Sequence, residues 1–341
     1  MNHNLEVDLT EMERKLKCYV DKGRVAGGAE VREEPIISVK PDASNIKPLR
    51  KMNSYEGQFL AVDCSTRTLK RANNWGIYVL RAACAVVKGR DVQWDYEEQI
   101  CTEIGDAYTR RNTLANRRME LESKKALEFL HEEHTVVPNV LRKLDEGDYI
   151  LLDGASFFGG ERGFAISLYE GSLRRRMNLI CISKQSPALH DERGRDFTAT
   201  TFSLCSSYPI WVYHPVKKAN KDKHLYGDIS IIKLCEDSPR AFRCDVMEYL
   251  ASTEVNELLS PLTSISGDPR CVGYPISLWL AHDFSAPSDS KLLQYLNEVE
   301  KRLANVGVRN TLRSEELSCN FADELHNVRY PFKREMVGDY V

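Results

Sequence analysis

The chain has no apolar run long enough to cross a bilayer, and its opening stretch, Met1 to Met12, lacks the apolar core of a secretory signal. The expectation is a cytoplasmic protein that neither spans a membrane nor is secreted. Paired cysteines are also missing. The ten cysteines stand singly, at 18, 64, 84, 101, 181, 205, 235, 244, 271 and 319. None has the two-residue spacing of a zinc knuckle, and the scatter supports no disulfide framework. In a reducing compartment such residues are simplest as core packing. Positive charge is not in excess either. The net charge is −3, which excludes a protein that coats nucleic acid through its overall field but leaves room for a local basic groove. No internal repeat is present.

What remains is a globular chain. Its 341 residues suit one large domain or up to two ordinary ones, and 42% apolar residues suffice for a sizeable core. Basic residues cluster at Arg67, Lys70 and Arg71; at Arg110, Arg111, Arg117 and Arg118; at Arg174, Arg175 and Arg176; and at Lys217, Lys218, Lys221 and Lys223. One such cluster reads as a solvated face; four in an acidic-average chain point to phosphate-backbone contact.

Along the chain, Leu5 to Val20 has helical spacing, and Gly23 to Pro48, with two adjacent glycines and three prolines, reads as an extended connector. Phe59 to Val62 is a short apolar strand that delivers Asp63. Trp75 to Val87 and Val92 to Ile100 follow as strands, giving an antiparallel meander. Asp106 to Glu133 is one long helix free of Gly and Pro. Pro138 and Gly147 bracket a shorter one. Asp148-Tyr-Ile-Leu-Leu-Asp-Gly-Ala155 repeats the build of the first strand and delivers Asp153. Gly159, Gly160 and Gly163 mark a turn, Phe164 to Arg175 a helix, and Leu179 to Ser183 a strand ending at Lys184. His190 to Thr201 is polar and reads as a surface loop. Ile210–Tyr213, Ile229–Leu234 and Ala241–Val246 are strand-like. Helices are expected over Met247–Leu259, over the segment ending at His282, and over Lys291–Val306, before a charged tail.

Two strands that each deliver one carboxylate suggest a shared site, because a desolvated acid needs a positive partner. The order strand-strand-strand-helix-strand-helix-strand, with acids on the first strand, the long helix and the fourth strand, is that of a ribonuclease H-like α/β fold: a mixed sheet flanked by helices. There, carboxylates can hold two hard cations roughly 3.5–4 Å apart, which activate water and stabilise a leaving phosphodiester oxygen. Glu120 and Glu122 on the helix are two residues apart and cannot both face one site. Bland alternatives stand beside each candidate: a turn cap for Asp63, a solvent-facing Glu, an exposed strand-end Lys184 and a packed His282.

Six short segments in this order resemble the NurA nucleases: Ala61-Val-Asp-Cys-Ser65, Tyr78-Val-Leu-Arg-Ala82, Leu121-Glu122, Leu151-Leu-Asp-Gly154, Ile182-Ser-Lys184 and Gly273-Tyr-Pro with Ala281-His282. The resemblance spans about Phe59 to His282. It implies a Mn2+- or Mg2+-dependent DNase with 5′–3′ exonuclease and single-strand endonuclease action. It also implies a homodimer working with a HerA-type hexameric ATPase in DNA end resection or phage defence. Carried over by position, Asp63, Glu122 and Asp153 would bind metal, with Glu120 as the other helix acid. Lys184 would sit near the scissile phosphate, and His282 would be a late ligand or proton carrier. Arg67, Lys70 and Arg174 to Arg176 would grip DNA without reading sequence. The expected organisation is an N-terminal helix and connector (1–52), the nuclease domain (53–310) with a C-terminal helical extension, and the tail (311–341), arm and tail being candidates for dimer or ATPase docking. Two rivals remain: a catalytically silent docking module of the same fold, and a kinase of the actin-like superfold, whose phosphate loop would need a glycine that Asp63-Cys-Ser-Thr-Arg67 lacks.

Overall fold

The computed structural model describes residues 3–23, 34–130, 143–159, 163–186 and 188–325. Helix α1 (His3–Lys22) buries Leu9, Met12, Leu16 and Tyr19, the stripe its periodicity dictates. The connector is not featureless: it holds two short strands, β1 (Ile37–Val39) and β2 (Ile46–Pro48).

β3 (Phe59–Arg71), β4 (Trp75–Lys88) and β5 (Asp91–Ile104) form the expected antiparallel meander, with Gly89 at φ 60° in the tight turn between the last two. β4 lies between its neighbours and is buried along almost its whole length, which is why it reads as an unbroken apolar run. β3 runs past the point where its apolar residues stop. A strand closing at Asp63 is expected, but pairing with β4 continues to Arg71 and keeps the chain extended.

α2 (Ala107–Glu128) starts at Asp106, whose Oδ1 accepts the Thr109 amide (2.8 Å). The shorter helix expected ahead of Gly147 falls largely outside the described residues. β6 (Tyr149–Asp153), α3 (Gly163–Arg174) and β7 (Asn178–Ser183) then appear as anticipated. The supposed surface loop after them is ordered into β8 (Leu189–Asp191) and α4 (Phe197–Leu204). Its polar residues satisfy one another locally: Asp191 accepts the Arg193 and Arg195 amides, and Asp196 caps α4 through the Ala199 amide. β9 (Trp211–Lys217), β10 (Gly227–Lys233) and β11 (Phe242–Met247) follow. The helix expected over Met247–Leu259 is broken, because Met247 is drawn into the sheet opposite Gly227. Only a 3-10 turn and α5 (Val255–Leu259) remain of it. α6 (Ile276–Phe284), α7 (Asp289–Asn305) and α8 (Arg309–Leu325) complete the described chain.

Nine strands form one mixed sheet in the order β2-β9-β10-β11-β7-β6-β3-β4-β5, with β3, β6 and β7 parallel. This is the ribonuclease H-like arrangement, sheet flanked by helices. α5, the 3-10 turn after it and α6 cover one face with Leu258, Leu262, Leu278 and Ala281; α2, its C-cap Phe129 and α3 cover the other with Ala126, Phe129, Ala165 and Leu168. α1, α7 and α8 share a third core with Trp75, Ile77 and Val79. Tyr19 and the Trp75 indole both donate to Glu315 of α8, so N-terminal and C-terminal helices meet in one layer. What matters for function is that β3, β6 and β7 run the same way, because ligands of such sheets bind beyond the carboxyl ends of the strands.

Candidate active site

The last parallel pair between β3 and β6 is Val62–Leu152, so Asp63 and Asp153 are the next residues where the two strands part. α6 lies across β3 and β4 and brings His282 down in its last turn, where Nδ1 donates to Asp63 Oδ2 (2.6 Å). Lys184, first after β7, has Nζ 2.6 Å from Asp153 Oδ2 and 3.4 Å from His282 Nδ1. Metal-ligating atoms of Asp63, Asp153 and His282 lie within 4.8 Å of one another, the one such group that includes a sequence-derived candidate among the described residues. Two carboxylates and an imidazole are a donor set that a divalent cation of the Mg2+ or Mn2+ type accepts.

α2 decides between its two acids. Glu120 points outward and pairs with Lys124 (2.7 Å). Glu122 is buried, and its Oε1 accepts the Cys64 amide (3.0 Å), a proton shared with Asp63 Oδ1 (2.8 Å). One turn earlier on the same face stands Arg118, which the sequence placed in a basic cluster and not at the acid site. Its Nε donates to the Cys64 carbonyl (2.7 Å), and its guanidinium lies 3.7 Å from Asp63 and 3.8 Å from Glu122. The signal was the four-residue spacing to Glu122, which places both on one helical face.

Tyr274 is a second addition. Its hydroxyl donates to Asp153 Oδ1 (3.4 Å), and its ring lies 5.9 Å from Lys184 Nζ. Gly273 makes this approach feasible. It sits at φ 86°, and a Cβ there would lie 2.2 Å from Ser238 Oγ, so only glycine fits ahead of Tyr274.

The charges interlock. Burial pushes Asp63 up, but the His282 hydrogen bond and the Lys184 and Arg118 charges outweigh it and hold the carboxyl at about 2. Burial raises Asp153, with Lys184 opposing. Glu122 is pushed to about 8 by burial, against the pull of Arg118 and with the push of Asp63 and Asp153. One acid is therefore firmly ionised and one is protonated at neutral pH, while two basic side chains balance the cluster.

The basic residues expected to hold DNA are not drawn to this point. Lys70 is buried and paired with Glu300 and Glu316 (2.7 Å to the latter), so it is not available to a phosphate backbone. Both partners lie on the C-terminal helices, which the apolar pattern of β3 gave no means to foresee. Arg67 is half-buried on β3, four residues beyond Asp63 and about 13 Å along the strand. Arg174, Arg175 and Arg176 precede β7, at the opposite end of that strand from Lys184, roughly 20 Å away. Arg174 is exposed, Arg175 donates to the Leu130 carbonyl (3.3 Å) and Arg176 pairs with Glu146 (3.0 Å).

By sequence, no family model matches the chain, and no curated protein does. Solved structures do. The NurA nuclease from Sulfolobus solfataricus superposes with a TM-score of 0.56 at 15% identity, over 88% of this chain and 95% of that one. A second NurA structure gives a TM-score of 0.54 at 11% identity, over 80% of this chain and 93% of that one. At such identities the likeness concerns the fold, and the fold of this chain is NurA-like.

Proposed function

We propose that this chain is a metal-dependent deoxyribonuclease whose centre is Asp63, Asp153, His282 and Glu122. The observation that carries the reading is the convergence of the Asp63, Asp153 and His282 ligand atoms at the carboxyl edge of a NurA-like sheet. Such a cluster of acids is costly to bury unless a cation completes it. Asp63, Asp153 and His282 would hold one ion, and Glu122, reached through the Cys64 backbone, would help to hold a second. Bound divalent cations would supply an activated water and offset charge on the leaving oxygen.

The chain's own groups do the rest. Lys184, paired with Asp153 but 40% exposed at its side chain, would meet a non-bridging phosphate oxygen. With His282 Nδ1 committed to Asp63, Nε2 is left to coordinate or to carry a proton to the departing oxygen. Tyr274 fixes Asp153, and Arg118 fixes the backbone at Cys64. Arg67 and Arg174 to Arg176 are candidates for backbone contacts remote from the cluster. The further reading is a homodimer docked on a HerA-type translocase, with 1–52 and 311–341 as docking segments, serving end resection or phage defence; co-purification and light scattering test it.

A second reading has an observation of its own. Arg118 and Lys184 already balance the acids, as they would in a silent module that only docks a partner or holds DNA. Cleavage of labelled linear and single-stranded DNA in Mn2+, with and without a HerA-type ATPase, separates the two. Wild-type cutting that disappears in folded Asp63→Ala and Asp153→Ala supports the nuclease. No cutting under either condition hands the site to the silent module.

A further inference from the structure

The carboxyl edge of the sheet carries a second feature that the centre described above does not use. An open trough of about 690 Å3 starts at Lys184 and runs between α4 and the first residues of β11. Its size is within the roughly 300–1,000 Å3 of small-molecule sites. The register fixes where it lies. Asp153 of β6 pairs with Ile182 of β7, and Ser183 of β7 pairs with Arg243 of β11. Moving from the acid cluster to the trough is therefore a step of two strand spacings, about 10 Å, along one edge.

The lining is mixed in a particular way. Phe202 and Phe242 give aromatic surface, Ser186 and Thr198 give hydroxyls, and Lys184 and Arg240 give positive charge. Phe202 is half-buried: Lys233 Nζ sits 5.4 Å from its ring centre, and Trp211 meets it edge-on. Ser186 Oγ is out of contact with solvent and has no hydrogen-bond partner among the described residues. Arg240 is exposed and has no carboxylate partner among the described residues. Its backbone, by contrast, is pinned on both sides by Ser238 Oγ, which donates to its carbonyl (2.8 Å) and accepts from its amide (3.1 Å). The acid in the lining, Asp196, is spent on capping α4.

An aromatic wall and an exposed guanidinium beside the proposed phosphate-cleaving centre match one chemical unit. We infer that the trough receives one unpaired nucleotide of the substrate strand, next to the phosphate held at the acid cluster. Phe202 stacks the base and Arg240 binds the flanking phosphate. This rests on the nuclease reading and deepens it. A paired base reaches the trough only by leaving its stack, at a cost of a few kcal/mol, so the site selects single strands or frayed ends.

The test uses the full chain with Phe202→Ala, Phe202→Leu and Arg240→Gln, and measures anisotropy with a labelled single-stranded oligonucleotide and a blunt duplex. Thermal melting confirms that each variant is folded. Phe202→Ala and Arg240→Gln are expected to weaken single-strand binding by roughly tenfold, the scale of one stacked base or one charge-assisted contact, and duplex binding by much less. Phe202→Leu keeps the packing but removes the ring, and should lose affinity in the same direction. Unchanged single-strand affinity in the variants, where the wild type cuts DNA, overturns the trough assignment alone, as do equal losses on both substrates. A wild type that neither binds nor cuts overturns this inference together with the nuclease reading.

Discussion

Two arginine–carboxylate clusters adjoin the same sheet, and they are built differently. Arg243 of β11 is closed on every side. It makes paired 2.7 Å contacts to Glu34 and to Asp245, and Asp245 Oδ2 also accepts the Ser156 amide (2.8 Å) and hydroxyl (2.9 Å). Arg118 of α2 stands among Asp63 and Glu122 at 3.7 and 3.8 Å, and its Nε donates to the Cys64 carbonyl (2.7 Å). Both clusters carry charge, yet in the second the guanidinium lies beyond hydrogen-bond distance of both carboxylates, and the acids are held by the Cys64 amide, His282 and Lys184 instead. The closed cluster is finished as protein. The open one pairs its acids with two part-exposed side chains, His282 and Lys184, that can turn to make way for a further cation.

That contrast can be broken most decisively at Asp63 and Asp153. Replacing either with Ala should reduce Mn2+-dependent cleavage by roughly a thousandfold or more, since several kcal/mol of transition-state stabilisation depend on the ions they hold. Without metal, Asp153→Ala should melt close to wild type or higher, because burial disfavours its charge, whereas Asp63→Ala should melt lower, because its carboxylate is held ionised by His282, Lys184 and Arg118. Cleavage that survives both changes would move the catalytic centre elsewhere. Arg243→Met should behave in the opposite manner. It leaves Glu34 and Asp245 buried without their counter-ion, a loss of about 3–5 kcal/mol in urea unfolding. Mn2+ affinity of the folded fraction should be unaffected. A mild variant here would erase the distinction between the clusters.

Arg118→Met sharpens the comparison at the open site. The guanidinium occupies the electrostatic place that a cation would take, so its removal should tighten Mn2+ binding, by roughly 10–100-fold for one charged contact, in isothermal titration. The metal-free protein should melt lower at the same time, because the Cys64 carbonyl loses its donor. Weaker binding in this variant would show that Arg118 organises the site for the ion and does not compete with it.

The parts of this arrangement that sequence made legible are those written in local pattern. Asp63 and Asp153 could be singled out because each closes an apolar run of the same build, and the meander and long helix follow from runs without Gly or Pro. Glu120 and Glu122 could be recognised as alternatives, but only tertiary placement chooses, since the phase of α2 against β3 depends on contacts far apart in the chain. Arg118 looked like one of a basic cluster because its partners come from another element. Lys70 was misread for the same reason: the glutamates that bury it lie more than two hundred residues away. The segment at His190 to Thr201 appeared to be a loop because its order rests on side-chain-to-backbone bonds from Asp191 and Asp196, which leave no apolar periodicity.

The smallest expected effect concerns protons, and again only the open cluster should show it. Glu122 has its ordinary value of 4.5 raised to about 8, so the fold favours its neutral form. Its contribution to the stability of the metal-free protein is complete below pH 4.5 and is lost as pH rises through about 8. A cation held by Glu122 must displace that proton, so Mn2+ affinity should rise by about tenfold between pH 7 and 9 and level off above it, with close to one proton released at pH 7. Calorimetry in buffers of different ionisation enthalpy counts that proton directly. In Glu122→Gln the released proton and the pH slope should both vanish while Asp63, Asp153 and His282 still hold one ion. A slope that persists in this variant would assign the proton to another group and remove Glu122 from the set of ligands.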